Sequence, residues 1–297
     1  MTAYLRGLRL ERWPRSLAIA LGSASLFFLH RDFLAAFPPG AIAARLLGAF
    51  IVTWIISTAN YVVNEIVDAP FDAHHPVKRF RPLVLGEIKK GPFAFLGAGL
   101  MVLGLGSAWI LFSRSFFFSV LALLAAGFIY NVKPIRTKDV PFLDAISESA
   151  NNPIRFLIGW YVFAPPRLFP PLALLAAWWA FGNFLMTAKR LSEFRLLKEK
   201  AADYRLSHKR YSGSALLLGM AASAFVTLAA AVYCSVELGI RALLYLTPLL
   251  ALYLSLFFRK TLREKEIMEE PESLLRNPLI AVSTVALVCL FALSFFL

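Results

Sequence analysis

Long apolar stretches alternate along the chain with short polar or basic connections. Nine of them are long enough, or nearly so, to cross a hydrocarbon core of about 30 Å: residues 16–37, 41–67, 91–113, 115–130, 141–164, 168–188, 213–236, 240–258 and 277–297. The pattern predicts about nine transmembrane helices, the first interrupted by His30, Arg31 and Asp32 and the fourth short. Polar residues recur at helical spacing inside several stretches. In the second, Thr53, Ser57, Asn60, Asn64 and Asp68 fall on one helical face, a line that belongs against a cavity or the bundle interior. Pro70 has no backbone donor, so this helix is expected to kink or end there and leave Asp72 in an irregular segment. The fifth stretch carries Asp144, Glu148, Asn151, Asn152 and Arg155, ionisable and amide groups that are costly in lipid. The sixth continues through Lys189, Arg190 and Glu193 towards Tyr211, with apolar Leu191, Phe194, Leu197, Ala201 and Tyr204 opposite a basic face. That predicts an amphipathic helix lying on the membrane or over a cytoplasmic opening. The connection after the eighth stretch mixes Lys and Arg with Glu and reads as a solvated hairpin.

Composition narrows the class. The 297 residues are 59% hydrophobic, and a mean hydropathy of +0.67 belongs to a polytopic membrane protein. The simplest division is one integral-membrane domain over residues 1–297. A net charge of +13 invites a nucleic-acid reading, but a membrane protein acquires such an excess from cytoplasmic loops beside anionic lipid, so no nucleic-acid partner is implied. Most of the Lys and Arg fall at the N-terminus and in the loops after the second, fourth, sixth and eighth stretches. The opposite loops receive only Arg31, Arg45, Arg114, Arg167 and Arg241. This asymmetry predicts a cytoplasmic N-terminus and a C-terminus on the other side. Arg6, Arg9, Arg12 and Arg15 before an apolar run mimic a signal peptide, yet the later spans favour a retained first helix. Cys234 and Cys289 sit in apolar runs with neither metal nor disulfide spacing.

The densest chemistry lies between Asn64 and Pro82. Asn64, Asp68 and Asp72, at i, i+4 and i+8, stack on one helical face and offer hard oxygen ligands suited to Mg2+. Lys78, Arg79 and Arg81 follow; the positive-inside rule explains them as well as a diphosphate site does, and their place beside the acids favours the latter. A second short loop carries Lys133, Arg136 and Lys138, open to the same two readings. Arg155 and Glu148 form either a structural ion pair or part of a site, and Asn60, Ser57, Asn151 and Arg155 are candidate cavity residues. Glu193 is either a carboxylate ligand facing Asp68 or the i+4 partner of Lys189, and the first is preferred. His74 and His75 have no third soft ligand nearby, which argues against zinc.

These residues resemble the UbiA superfamily of intramembrane prenyltransferases over nearly the whole chain. The resemblance rests on Asn-x-x-x-Asp-x-x-x-Asp at 64–72, His-Pro-x-Lys-Arg-x-Arg-Pro at 75–82, Tyr-x-x-x-Pro-x-Arg-x-Lys at 130–138 and the nine apolar stretches. It implies an all-α bundle around a cavity open to the membrane, and transfer of an isoprenoid from a magnesium-bound diphosphate to a lipophilic acceptor. In that pattern Asn64, Asp68 and Asp72 bind metal, while Lys78, Arg81, Lys133, Arg136 and Lys138 hold phosphate. The second Asp-x-x-x-Asp motif usual in the family is replaced by Lys189-Arg190-Leu-Ser-Glu193, and Glu65 and Pro70 also depart from the pattern.

The sequence is therefore read as an integral-membrane, Mg2+-dependent transferase with its mouth on the cytoplasmic side. Asp68, Asp72, Lys78 and Arg81 act at the reaction. Metal is held by Asn64, Asp68, Asp72 and Glu193, and diphosphate by Lys78, Arg79, Arg81, Lys133, Arg136, Lys138, Lys189 and Arg190. Prenyl diphosphate is the first choice of donor, with a lipophilic or aromatic acceptor. The altered motif and the Lys-Arg-Phe-Arg-Pro tail look like the branch that uses phosphoribosyl diphosphate and a polyprenyl phosphate, which is the alternative. A transporter or lipid-binding protein is the nearest reading without catalysis.

Overall fold

The computed structural model describes residues 2–198, 201, 205–263 and 277–294, and among them the secondary structure is helical throughout, with no strand. The chain groups into two compact units. One comprises residues 1–140, 154–169 and 203–205; the other comprises 141–153, 170–202 and 206–297.

In the first unit, α1 (Thr2–Gly7) leads into a 3-10 helix over Leu10–Ala18, then α2 (Ile19–Leu29), α3 (Arg31–Ala35) and α4 (Pro39–Asp72). After a loop come α5 (Lys90–Leu111) and α6 (Arg114–Asn131), and α8 (Asn151–Trp160) returns to this unit from Ile154 onward. The predicted span at 16–37 is thus broken into pieces: a 3-10 helix carries Pro14, and His30 leaves helical geometry at φ −140°. By contrast, α5 and α6 match the expected stretches to within two residues. Ser113 caps α6, its hydroxyl accepting from the Phe116 amide at 3.2 Å.

At 34 residues and about 1.5 Å per residue, α4 is longer than a bilayer core is thick. The expected break at Pro70 does not occur; α4 runs to Asp72. A proline there forfeits only the bond to the Ile66 carbonyl, and the helix ends two residues later, so little remains to be disrupted. Asp72 accordingly keeps the helical register of Asp68. Where α4 meets α6, Gly127 is required: a Cβ there would stand 2.2 Å from Asn60 Oδ1. The Asn60 amide donates to the Leu123 carbonyl at 2.9 Å, so this part of the polar line cements a helix contact. Similarly, a Cβ on Gly159 of α8 would lie 1.8 Å from the Ile19 carbonyl oxygen.

The second unit holds α7 (Leu143–Ser149), α9 (Leu172–Leu197), α10 (Gly213–Leu238), a 3-10 helix at Arg241–Leu246, α11 (Thr247–Arg263) and α12 (Pro278–Leu293). Its core joins Phe184 and Leu191 of α9 to Leu216 and Met220 of α10 and to Tyr253 and Phe257 of α11. The predicted fifth span at 141–164 is divided into α7 and α8. Pro153 cannot donate to the Ser149 carbonyl, and the Asn151 amide takes the Glu148 carbonyl at 3.0 Å, so the local bonds compete with a continuous helix. The amphipathic helix expected as far as Tyr211 instead stops at Leu197, where Lys198 turns to φ 48°, and a separate 3-10 turn covers Leu206–Arg210. The hairpin expected after the eighth stretch lies for the most part outside the described residues.

Five segments among the described residues are long and apolar enough to cross a membrane: α4, α5, α6, α10 and Arg241–Arg263, with α12 shorter. Nine separate spans are therefore not reproduced by length and composition. The surfaces of these helices are oily: Phe95 is 83% and Ile110 79% exposed, which suits lipid and not water. The protein is an all-helical integral membrane protein.

Candidate active site

The site in the first unit is built from the end of α4 and two loops. One helical turn apart, Asp68 and Asp72 are both buried at the end of α4, with Glu65 also buried one turn before Asp68's neighbour Ala69. Next, His75 organises the loop that follows. It is buried, and its Nδ1 accepts from the backbone amides of Val77 at 3.2 Å and Lys78 at 3.3 Å, which folds the basic run back towards α4. Arg81 consequently donates to Asp72 and lies 3.2 Å from Glu65 Oε1.

The loop after α6 supplies the cations for Asp68. Lys138 Nζ is 2.5 Å from Asp68 Oδ1 and 3.3 Å from the Asn131 side-chain oxygen. Arg136 donates to Asp139 at 2.8 Å, to the Asn131 carbonyl at 2.9 Å and to Asp68 at 3.4 Å. Its backbone is held at φ 33° in the left-handed region, which costs a non-glycine residue on the order of 1–3 kcal/mol. Those charge-assisted bonds, and the Phe71 ring 4.9 Å beneath the guanidinium, offset that cost. Burial pushes Lys138 down to about 8; the neighbouring Arg205 and Arg136 charges act in the same direction, and Asp68 opposes them. Arg205 donates to the Tyr130 hydroxyl at 3.0 Å.

The expected residues are thus only partly assembled. Asp68, Arg136 and Lys138 share one network, and Asp72, Arg81 and Glu65 form another one helical turn away. Lys78 is half-buried beside it, Asn64 is half-buried on α4, and Arg79 and Lys133 are exposed, Arg79 lying over the Phe80 ring. Arg155 donates to Ser57 at 3.4 Å, joining α8 to the polar line of α4. Sequence reasoning missed His75, Glu65 as an ion-pair centre, and Arg205.

The second unit contains a separate charge cluster. Arg190 is fully buried and donates to Asp144 at 2.8 Å, Glu148 at 2.5 Å and Glu193 at 3.2 Å. Ser207 donates to Asp144 at 3.0 Å, Tyr211 also donates to Asp144, and His208 Nε2 lies 3.2 Å from Glu193. Burial and the Asp144 charge raise the Tyr211 phenol well above its ordinary value. Glu193 is therefore engaged by Arg190 and His208, and Arg190 by three acids; Lys189 is half-buried next to them. The i+4 step from Asp144 to Glu148 was the sequence signal for a shared cation.

No group of three His, Cys, Asp or Glu side chains is gathered for a metal among the described residues. Among the described residues an all-protein cage is thereby absent. Mg2+, however, is commonly held by one or two carboxylates together with substrate phosphates and water. Asp68 and Asp72, hard ligands on successive turns, fit that mode.

The chain is similar to several known proteins. A family model described as the UbiA prenyltransferase family matches residues 17–271. The decaprenyl-phosphate phosphoribosyltransferase of Mycolicibacterium smegmatis is 27% identical over 182 residues, 59% of this chain and 53% of that protein. Naringenin 8-dimethylallyltransferase 2 of Sophora flavescens is 29% identical over 146 residues, 43% of this chain and 35% of that protein. The chain thus spans about half the length, or less, of the curated relatives it matches. Among solved structures, a UbiA homologue from Archaeoglobus fulgidus bound to GPP and Mg2+ superposes with a TM-score of 0.73 at 19% identity, covering 99% of this chain and 100% of that one.

Proposed function

The chain belongs to the UbiA prenyltransferase family, and from that membership we propose that it is a Mg2+-dependent membrane transferase working at the end of α4. The observation that carries this reading is the pair of buried carboxylates, Asp68 and Asp72, each closed by cations from a loop: Lys138 and Arg136 on one, Arg81 on the other. Such pairs are poised for exchange. A metal diphosphate offers the carboxylates a cation and the basic side chains an anion, so both halves keep a partner when the donor enters.

Asp68 and Asp72, with Asn64, would hold the metal, which when bound supplies charge neutralisation to the leaving diphosphate. Arg81, Arg136 and Lys138 would turn from the carboxylates to phosphate oxygens, with Lys78 and Lys133 at the rim. As the donor C1–O bond breaks, its electron pair goes to the diphosphate, and these cations stabilise the charge that grows there. The cationic carbon is then captured by an acceptor oxygen. Glu193 and Arg190 are assigned a supporting role, because each is already satisfied by buried partners. The side of this site is read as cytoplasmic from the Lys and Arg distribution.

For the donor, the first reading is phosphoribosyl diphosphate, with a polyprenyl phosphate as acceptor. Relatives over more than half of the chain are phosphoribosyltransferases by name. Lys189-Arg190-Leu-Ser-Glu193 stands where prenyl-transferring members carry a second pair of aspartates. Prenyl transfer from a prenyl diphosphate to a lipophilic acceptor is the second reading, favoured by the Tyr130–Asp144 loop, which looks like that of ordinary prenyl-transferring members. The test is Asp68→Asn combined with Asp72→Asn in the purified, correctly inserted protein. A loss of at least about a hundredfold in transfer is expected; transfer retained at the native rate with either donor sinks the metal-clamp reading.

A further inference from the structure

Arg259, Lys260 and Arg263, at the end of α11, take no part in the site above. With Leu256 they stand three or four residues apart, so the four side chains share one face of the helix. That face meets the start of α12. The two helix ends border a cavity of about 550 Å3, lined by those four residues and by Asn277, Leu279 and Ile280. Two contacts hold its walls. The Arg195 guanidinium, in the last turn of α9, donates to the Leu262 carbonyl at 2.8 Å and fixes the last turn of α11. The Asn277 side chain accepts from the Leu279 and Ile280 amides at 3.0 and 3.4 Å, which starts α12.

The cavity is positively charged, and the charge is not neutralised from within the protein. Arg259, Lys260 and Arg263 make no ion pair or hydrogen bond among the described residues. Like charges at i, i+3 and i, i+4 repel one another, and a bound anion relieves that repulsion. The lining is not polar throughout: Leu256, Leu279 and Ile280 give it an apolar wall. This wall continues beyond the cavity. Leu279 is 57% exposed and Val282, one turn further along α12, is 67% exposed, a surface that suits lipid. Depth agrees with this. Arg241–Arg263 is long and apolar enough to cross a membrane, with these three cations at its polar end, and the apolar run of α12 begins beside them. The cavity therefore sits where hydrocarbon gives way to headgroups.

We propose that the cavity between the end of α11 and the start of α12 binds the phosphate of an anionic phospholipid, with Arg259, Lys260 and Arg263 on the phosphate oxygens and the acyl chains along the Leu279–Val282 surface of α12. Each guanidinium offers paired N–H donors that match phosphate oxygens, and the lysine ammonium adds a compact charge. A free phosphate ion occupies the space of only a few waters, at about 30 Å3 each, whereas a phosphate with its glycerol fills more of this cavity. A zwitterionic headgroup would bring its own ammonium into a row of cations and is disfavoured. The lipid site stands whichever donor the transferase uses.

The test titrates phosphatidylglycerol into the purified full chain in detergent and follows bound lipid by native mass spectrometry. Four proteins are compared: the native chain, the triple variant Arg259→Gln, Lys260→Gln and Arg263→Gln, the charge-keeping variant Arg259→Lys with Arg263→Lys, and Lys89→Gln with Lys90→Gln, which removes exposed cations at the start of α5. The triple variant is expected to bind its tightest phosphatidylglycerol at least about tenfold more weakly. The charge-keeping variant is expected to lose less than threefold, and the Lys89 and Lys90 variant less than twofold. The native protein is expected to prefer phosphatidylglycerol to phosphatidylcholine at least tenfold, with no displacement by millimolar inorganic phosphate. Far-UV helicity separates loss of the site from loss of the fold; if the triple variant loses helicity, Arg263→Gln alone, at the exposed last residue of α11, is read instead, with a threefold loss expected. Unchanged binding in the Gln variants, an equal loss in the Lys89 and Lys90 variant, or displacement by millimolar inorganic phosphate overturns the proposal.

Discussion

Lys138 carries a charge that its surroundings make conditional. It is buried against Asp68 and pushed down to about 8. Because this is a base with a lowered value, it is cationic below about pH 8 and neutral above. Donor affinity is expected to fall as pH rises through that value, without a matching change on the acid side from this group. Lys138→Arg keeps its charge throughout and is expected to carry the alkaline fall upward by at least one pH unit, although its forked geometry will also alter donor KM. A pH profile of kcat/KM for the two proteins checks this; coincident alkaline limbs would remove Lys138 from donor binding. At this scale the sequence displayed the α4 carboxylates plainly, since i, i+4 spacing is local information. It did not display the partners. Lys138 is 70 positions from Asp68, and nothing in the spacing of His75, Glu65 or Arg205 distinguishes them from ordinary loop and helix residues until the fold brings them together.

Among the elements, uniformly apolar stretches were read well. The bounds of α5, α6 and α10 follow hydrophobicity and caps, as with Ser113 and Ser212, whose hydroxyls accept from Phe116 and Ala215. Elements interrupted by side-chain competition were not. The break between α7 and α8 arises from Asn151 and Pro153, and Pro70 fails to break α4 because it falls in the last turn. The Arg190 cluster belongs at this scale, since it ties α7 to α9 and to the 206–211 turn. Removing that arginine leaves three acids without their shared cation. Arg190→Met is expected to destabilise the protein by about 3–5 kcal/mol, as uncompensated buried charges do. Thermal unfolding in detergent, monitored by helicity, measures it, with native-like stability arguing that the cluster is solvated in solution.

For the whole molecule, hydropathy announced a helical membrane protein, and the exposed apolar surfaces of α5 and α10 agree with it. Composition alone does not fix how many helices cross, because α2 and α3 are short and α9 carries charges. The proposed activity depends on a donor diphosphate being captured where α4 ends. The most direct measurement supplies labelled phosphoribosyl diphosphate and labelled prenyl diphosphate separately to the purified protein, with Mg2+, polyprenyl phosphate and membrane lipid, and follows label into the lipid fraction. The expected result is incorporation from phosphoribosyl diphosphate that disappears with Asp68→Asn and Asp72→Asn. Label entering from the prenyl donor alone, or from neither donor, would contradict it.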